Sequence, residues 1–451
     1  MTRDLLERLA DEMPPARLPA DVWATGRRKR RNRRLGYAAL AVAVLLLAAG
    51  LPQVATHRDA SVMPAGRQPA VPSRVYLPHF WQAEASQWPA GPPGPSGLVF
   101  FTGQTRYFED TGVAVGFDGS YRLIYQDPGE DEGMLSPDGR TFVKQGMLLL
   151  DLASGDERPL SGEPIPGRPL AWSPDGKELL LDVSNDDDGV QYGDNGVPVA
   201  DPEKADDLVA VDVTTGRSRF VTVGGFNSYR HAAWSPDGKQ IIVEGPVGRG
   251  DTGQRMSVLD AATGAPLWTA ELDPHRQLAG RGAWQPDGSR VALLAFDGCT
   301  GACDLTADAA RRWRVEFLDP YAGGPVGAAI PLDGVPGEVI GWRDGSEPLM
   351  TYAPDRGAPR HRVLAAVRPD ATIETVVDTP AAVTNLEIAA DVVRAGAFGG
   401  PAHRPSPWAA AGWAYAAVAV PAALVVLWVW RRRAKMVARA RKATPTTNAS
   451  R

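Results

Sequence analysis

The chain has 451 residues, 44% of them hydrophobic, enough to bury a sizeable core, and 48 Gly with 40 Pro favour many turns over long soluble helices. Its formal charge of -5 is unevenly spread: residues 1–34 carry ten Arg/Lys and five Asp/Glu, and residues 431–451 carry eight Arg/Lys and no acid. The middle keeps 30 basic and 48 acidic residues, and because both basic ends abut apolar runs they read as topogenic and lipid-binding rather than nucleic-acid-binding.

From the N-terminus, "DLLERLADEM" sets Leu5, Leu6, Leu9 and Met13 along one side of a short helix stopped by Pro14 and Pro15. A helix of that length is unstable alone, so the face needs a partner or the membrane surface; Leu5, Leu6 and Leu9 are candidate contacts for a cytoplasmic regulatory protein, and a bland topogenic tail is the plainer account. The segment resembles the short cytoplasmic heads of bacterial membrane-bound regulators. It departs from the zinc-binding anti-sigma pattern, because residues 1–34 hold neither His nor Cys.

"RRKRRNRR" then meets an uncharged run, Leu35 to Leu51, and a second such run extends from Trp408 to Trp430 before Arg431, Arg432 and Arg433. At roughly 1.5 Å per residue these reach about 26 and 34 Å, against a hydrocarbon core near 30 Å, so both predict membrane spans. Trp408, Trp413, Trp428 and Trp430 sit near the ends of the second run, as aromatic belts do. A cleaved signal peptide is the rival for the first run, but its basic lead is long and no A-x-A site follows. The positive-inside rule places both termini in the cytoplasm and the acidic middle outside. The expected order is a basic segment (1–34), a span (35–55), a Pro/Gly-rich tether (56–96), a β domain (97–396), a linker (397–407), a second span (408–430) and a basic tail (431–451).

Inside the β domain one string recurs: "MLSPDGRTFV" from Met134, "AWSPDGKELLL" from Ala171, "AAWSPDGKQIIV" from Ala232 and "GAWQPDGSRVALL" from Gly282. Ser, Pro, Asp and Gly in that order specify a type I turn followed by a left-handed glycine, so the string is a hairpin instruction. A second phrase follows it in "LLLDLASGDERPL", "LVAVDVTTGRSRFV" and "MSVLDAATGAPLWTA", completing four strands per unit. The turn aspartates, Asp138, Asp175, Asp237, Asp287 and a degenerate Asp344, lie 37, 62, 50 and 57 residues apart. Units of that size and make-up predict propeller blades. Residues 112–127 read as the end of a further blade, with 383–396 as the outer partners that close the ring, giving six blades, with seven left open. Trp172, Trp234, Trp284 and Trp342 fall at matching places and are expected to pack between blades.

These "WSPDG" strings resemble the WD-like propeller repeats of the TolB type, found in bacterial periplasmic and membrane-attached proteins, over residues 131 to 352. The resemblance implies architecture and is silent on function. The fold class is therefore all-β, a six-bladed propeller flanked by two transmembrane α-helices.

Chemistry is sparse. No G-x-S-x-G or H-E-x-x-H motif occurs, the six His are scattered, and only one blade carries a quinoprotein-like "LDAATGAPLW". In the acidic insertion, Asp186, Asp188 and Asp194 are candidate calcium ligands, but Ser184 and Asn195 stand where the loop register expects Asp and Glu. A solvated loop is the plainer account. Cys299 and Cys303, the only cysteines, predict a small disulfide in an oxidising compartment. No catalytic residue and no cofactor are nominated, and no nucleic-acid partner is expected. The function expected is a non-catalytic, membrane-anchored extracytoplasmic propeller binding a protein, peptide or envelope ligand. The alternative is a lactonase-like or quinoprotein-like enzyme with its site in the central channel.

Overall fold

A computed structural model describes residues 70–85, 94–103, 111–125, 133–160, 167–183, 206–226, 229–246, 254–300, 307, 310–356, 361–408 and 410–442. It divides into two units, the first spanning residues 59–412 and the second holding the described residues from Trp413 onward.

The first unit holds six four-stranded antiparallel sheets. Blade 2 is built from Met134–Leu135, Thr141–Lys144, Leu148–Asp151 and Glu157–Pro159, and blades 3 to 6 repeat this plan in chain order. The inner strands of blades 3, 4 and 6 are Arg168–Trp172, His231–Trp234 and Val335–Arg343. That of blade 5 begins at Arg276–Leu278 and is resumed at Trp284, which bridges Val291. Middle strands such as Val291–Asp297 and Val363–Val367 are buried along nearly their whole length, whereas the outermost strand of blade 2 is exposed throughout. Such doubly covered strands need the apolar runs the sequence supplies.

Blade 1 closes the ring. Ser96–Thr102, Thr111–Gly116 and Tyr121–Ile124 come from the front of the domain, and Val383–Ile388 from its end pairs with Ser96–Thr102, Val99 opposite Glu387. This corrects the expectation that 383–396 supplies outer partners. It gives one strand, and that strand occupies the innermost place. The physical reason is burial: in that place Val383, Leu386 and Ile388 join the same apolar cluster as Leu98, Val99, Phe100 and Phe101.

The repeated string folds as its chemistry requires. In blade 2 the Ser136 hydroxyl donates to Asp138 Oδ1 at 2.7 Å, the Gly139 N–H donates to Ser136 O at 2.9 Å, and Gly139 takes φ +70°. Blades 3 and 4 repeat this at Ser173/Asp175 and Ser235/Asp237. The degenerate copy differs: Asp344 and Gly345 both have positive φ, 50° and 70°, a turn of the I′ kind in which the Ser346 N–H donates to Arg343 O at 3.1 Å.

Two boundaries move. Within the stretch expected as a tether, Val71, Val75, Ala83 and Ala85 are buried against the propeller, and Val71–Pro72 pairs in parallel with Phe398–Gly400. The second apolar run does not start its helix at Trp408. Gln82 bridges Ala410, and the Ala411 N–H donates to Trp81 O at 2.7 Å, so this backbone is held by the β unit and helix begins only afterwards.

That helix, Gly412–Lys442, belongs to the second unit and tolerates Pro421. Its segment Ala414–Met436 is the one stretch among the described residues long and apolar enough to cross a membrane. Leu35–Leu51, the other expected span, lies outside the described residues.

Candidate functional site

The inner strands leave a cavity of about 640 Å³ along the axis, on the side where the Ser-Pro-Asp-Gly turns lie. Its wall includes Trp172, Trp234, Trp284 and Trp342, one from each of blades 3 to 6. These rings also pack between blades: Trp342 Nε1 donates to Gly282 O of blade 5 at 2.8 Å, and Trp284 Nε1 to Ala233 O of blade 4 at 3.3 Å. Nε1 of Trp172 and of Trp234 is buried without an acceptor.

A short helix, α1 (Ala390–Arg394), follows the closing strand and covers part of the mouth. Its Asp391 N–H donates to Pro137 O at 2.9 Å, and Val393 sits over Gly341, where a Cβ would come within 2.6 Å of Val393 Cγ1. On the uncovered side the rim is Pro236 and Pro286, both exposed.

The floor carries an ion-pair hub. Arg281 of blade 5 meets Glu338 of blade 6 at 2.9 Å, and its Nη1 meets Glu387 of blade 1 at 2.6 Å. Local sequence explains the placement. Gly280 takes φ +107°, and a Cβ on Gly282 would lie 2.3 Å from Gly341 N, so only glycine lets the blade 5 backbone abut blade 6. There the Gly282 N–H donates to Val339 O at 2.9 Å, and Arg281 between the two glycines is presented to the axis.

Acids near the blade joints also accept main-chain N–H groups from an adjacent blade. Glu338 accepts from Arg281 N at 2.7 Å, Glu387 from Leu135 N at 3.4 Å, and the fully buried Glu244 from Leu278 N. Burial pushes the Glu387 carboxyl up to about 7, against the pull of Arg281 and with the push of Glu338. Arg281 is held above its ordinary value because the two carboxylates outweigh its burial. In blade 3, burial likewise raises Asp182, opposed by Arg168 at 3.3 Å. Asp175, Asp237 and Asp287 in the turns go the other way; at Asp237 the Ser235 hydroxyl and the Lys239 N–H hold the carboxylate below its usual range. They are acceptors within a turn, which suits a structural part.

The residues nominated from sequence fall elsewhere. Asp186, Asp188 and Asp194, and Leu5, Leu6 and Leu9, lie outside the described residues, as does Cys303. Cys299 has no free thiol. Among the described residues, no three His, Cys, Asp or Glu side chains converge as a metal ion would require. Arg281, Glu338 and Glu387 were not foreseen, and the usable signal was a charge between two glycines in an apolar strand, "LAGRGAW".

Fold and cavity together define a six-bladed β-propeller with an ion-paired axis and an apolar, partly capped mouth. No protein-family model matches the chain, and no curated protein matches its sequence. Similar solved structures include TolB from Acinetobacter baumannii, at 17% identity over 62% of this chain and 64% of that one, TM-score 0.40. A putative TolB from Agrobacterium tumefaciens is 14% identical over 64% of this chain and 97% of that one, TM-score 0.38. Oligogalacturonate lyase in complex with manganese is 18% identical over 59% and 70%, TM-score 0.41. The match thus spans less than two thirds of the Acinetobacter protein, and likeness at this level bears on no function.

Proposed function

We propose that this chain is a non-catalytic, membrane-anchored binding protein whose propeller lies outside the cytoplasm and takes a protein, peptide or envelope component at the mouth of its central cavity. The observation that supports this most is the engagement of three acids at the blade joints. Glu244, Glu338 and Glu387 each hold a neighbouring blade's N–H, and two of them share Arg281. General acid–base catalysis needs a group free to exchange its proton with a substrate, whereas these groups join blades. The open rim instead offers proline rings and tryptophan edges, a rigid apolar collar suited to an extended peptide segment.

Anchoring is read from Ala414–Met436, and sidedness from Arg431, Arg432 and Arg433 near its C-terminal end. The bonded state of Cys299 fits an oxidising compartment. Leu5, Leu6 and Leu9 are kept as the proposed contacts of a cytoplasmic regulatory protein.

One observation favours a second reading, a propeller enzyme with its site in the channel. Glu387 lines the cavity and titrates near 7, the range in which a general acid–base group works. The two are separated by placing a photoreactive residue at Pro236 in full-length protein in its own membrane, with Phe220 on an outer strand as control. Binding predicts one envelope species captured at 236, absent at 220 and retained when Glu387→Gln is added. Equal capture at both positions, or none at 236, counts against it. Turnover of a captured small molecule that Glu387→Gln abolishes would establish the enzyme.

A further inference from the structure

We infer that Phe80, Trp81 and Trp408 form a lipid-facing patch of the propeller unit, lying in the boundary between headgroups and acyl chains of the bilayer. The inference rests on the membrane-anchored reading above and adds a second contact to it.

Phe80 and Trp408 are 50% and 62% exposed, with Leu77 at 38% on the same stretch. They are brought together by the docked flanks. Trp81 Nε1 donates to Pro407 O at 3.2 Å, Phe80 meets the Trp81 ring edge-on at 4.6 Å, and His79 stacks on Trp81 at 4.7 Å. The patch is rigidly mounted, because Gln82 Nε2 donates to Tyr121 O of blade 1 at 2.9 Å. Exposed aromatic rings gathered on one docked segment, rather than scattered singly, mark a contact site.

The chain itself names the occupant. Ala411 is hydrogen-bonded to Trp81 O, and the apolar stretch begins at Ala414. Three residues of fully extended chain reach at most about 11 Å. The headgroup layer of each leaflet adds roughly 5–8 Å to the hydrocarbon core. If Ala414–Met436 spans the bilayer, Trp81 is therefore at or near the interface in whichever direction the helix leaves. Phenylalanine and tryptophan gain there, since the rings have an apolar body and the indole a polar edge. Arg404, above the Tyr76 ring at 5.5 Å, places a cation on the same stretch, which suits anionic headgroups.

The test uses the full-length chain in vesicles of phosphatidylethanolamine and phosphatidylglycerol. A photoreactive phenylalanine analogue replaces Phe80, Phe220 or Trp428 in turn, and lipid adducts are read by mass. Trp428 lies within the apolar stretch and reports the span; Phe220 is exposed on an outer blade strand. The inference predicts lipid adducts at 428 and 80, with several-fold more at 80 than at 220. Adducts at 428 without an excess at 80 overturn the patch and leave the anchor standing. Absence of adducts at 428 overturns the anchor and the patch with it, and an adduct at 80 to a second copy of the chain overturns the lipid assignment.

Discussion

Two glycines with nearly the same backbone make a controlled test of the turn argument. Gly139 and Gly288 occupy the same place in the repeated string and take φ +70° and +72°. A Cβ on Gly288 would enter open space, but on Gly139 it would lie 2.1 Å from Ser96 O, in the first strand of the closing blade. Gly139 O also accepts the Ser96 N–H at 2.8 Å, and Ser96 is completely buried. Gly288→Ala therefore costs only the left-handed penalty, about 1–2 kcal/mol. Gly139→Ala adds displacement of the turn and loss of that hydrogen bond, about 1–3 kcal/mol for a buried group left unpaired. The expected totals are about 1–2 against about 2–5 kcal/mol. Denaturant midpoints of the detergent-solubilised full-length protein measure both, with slopes checked for equality. Costs agreeing to within about 0.5 kcal/mol, the scatter of ordinary surface substitutions, would refute the reasoning.

The hub gives two more and the tryptophan collar a third. The folded-state value of Glu387, about 7, exceeds its ordinary 4.5, so its contribution to stability is complete below about 4.5 and is lost as pH rises through about 7. Glu387→Gln should remove that part of the wild-type decline, and an unchanged pH profile of unfolding contradicts the assignment. Arg281→Met strands two carboxylates and should cost about 3–5 kcal/mol, much of it recovered when Glu338→Gln and Glu387→Gln are added, as denaturation of the triple variant would show. Trp342→Phe loses the 2.8 Å bond to Gly282 and should cost about 1 kcal/mol more than Trp172→Phe, whose Nε1 has no acceptor; equal melting shifts would contradict this.

Much of the propeller was legible because its signals are local. Ser136, Asp138 and Gly139 write a turn within four residues, and its recurrence sets the blade spacing. The second turn was read in three blades, at Asp151, Asp212 and Asp260, but it also occurs at Asp319, which accepts Tyr321 N and Ala322 N at 2.7 and 3.0 Å. "DPYAG" was passed over because its flanks share nothing with "DVTTG", although Asp and Gly keep their spacing. The hub was not legible: Arg281 is 57 residues from Glu338 and 106 from Glu387, and only ring closure makes them neighbours. For the same reason Val383–Ile388 could be matched to blade 1 while its inner place could not. Sequence pattern reports a strand and its apolar face, and the order within a blade depends on what the other five enclose.

The central claim is that a propeller outside the cytoplasm is tied to the membrane by the helix that follows it. A reporter active only outside the cytoplasm, fused after Gly412 and separately after Asn448, tests this most directly, because the two sites bracket Ala414–Met436. The account predicts activity at 412 and none at 448. Activity at both sites, at neither, or at 448 alone would contradict it.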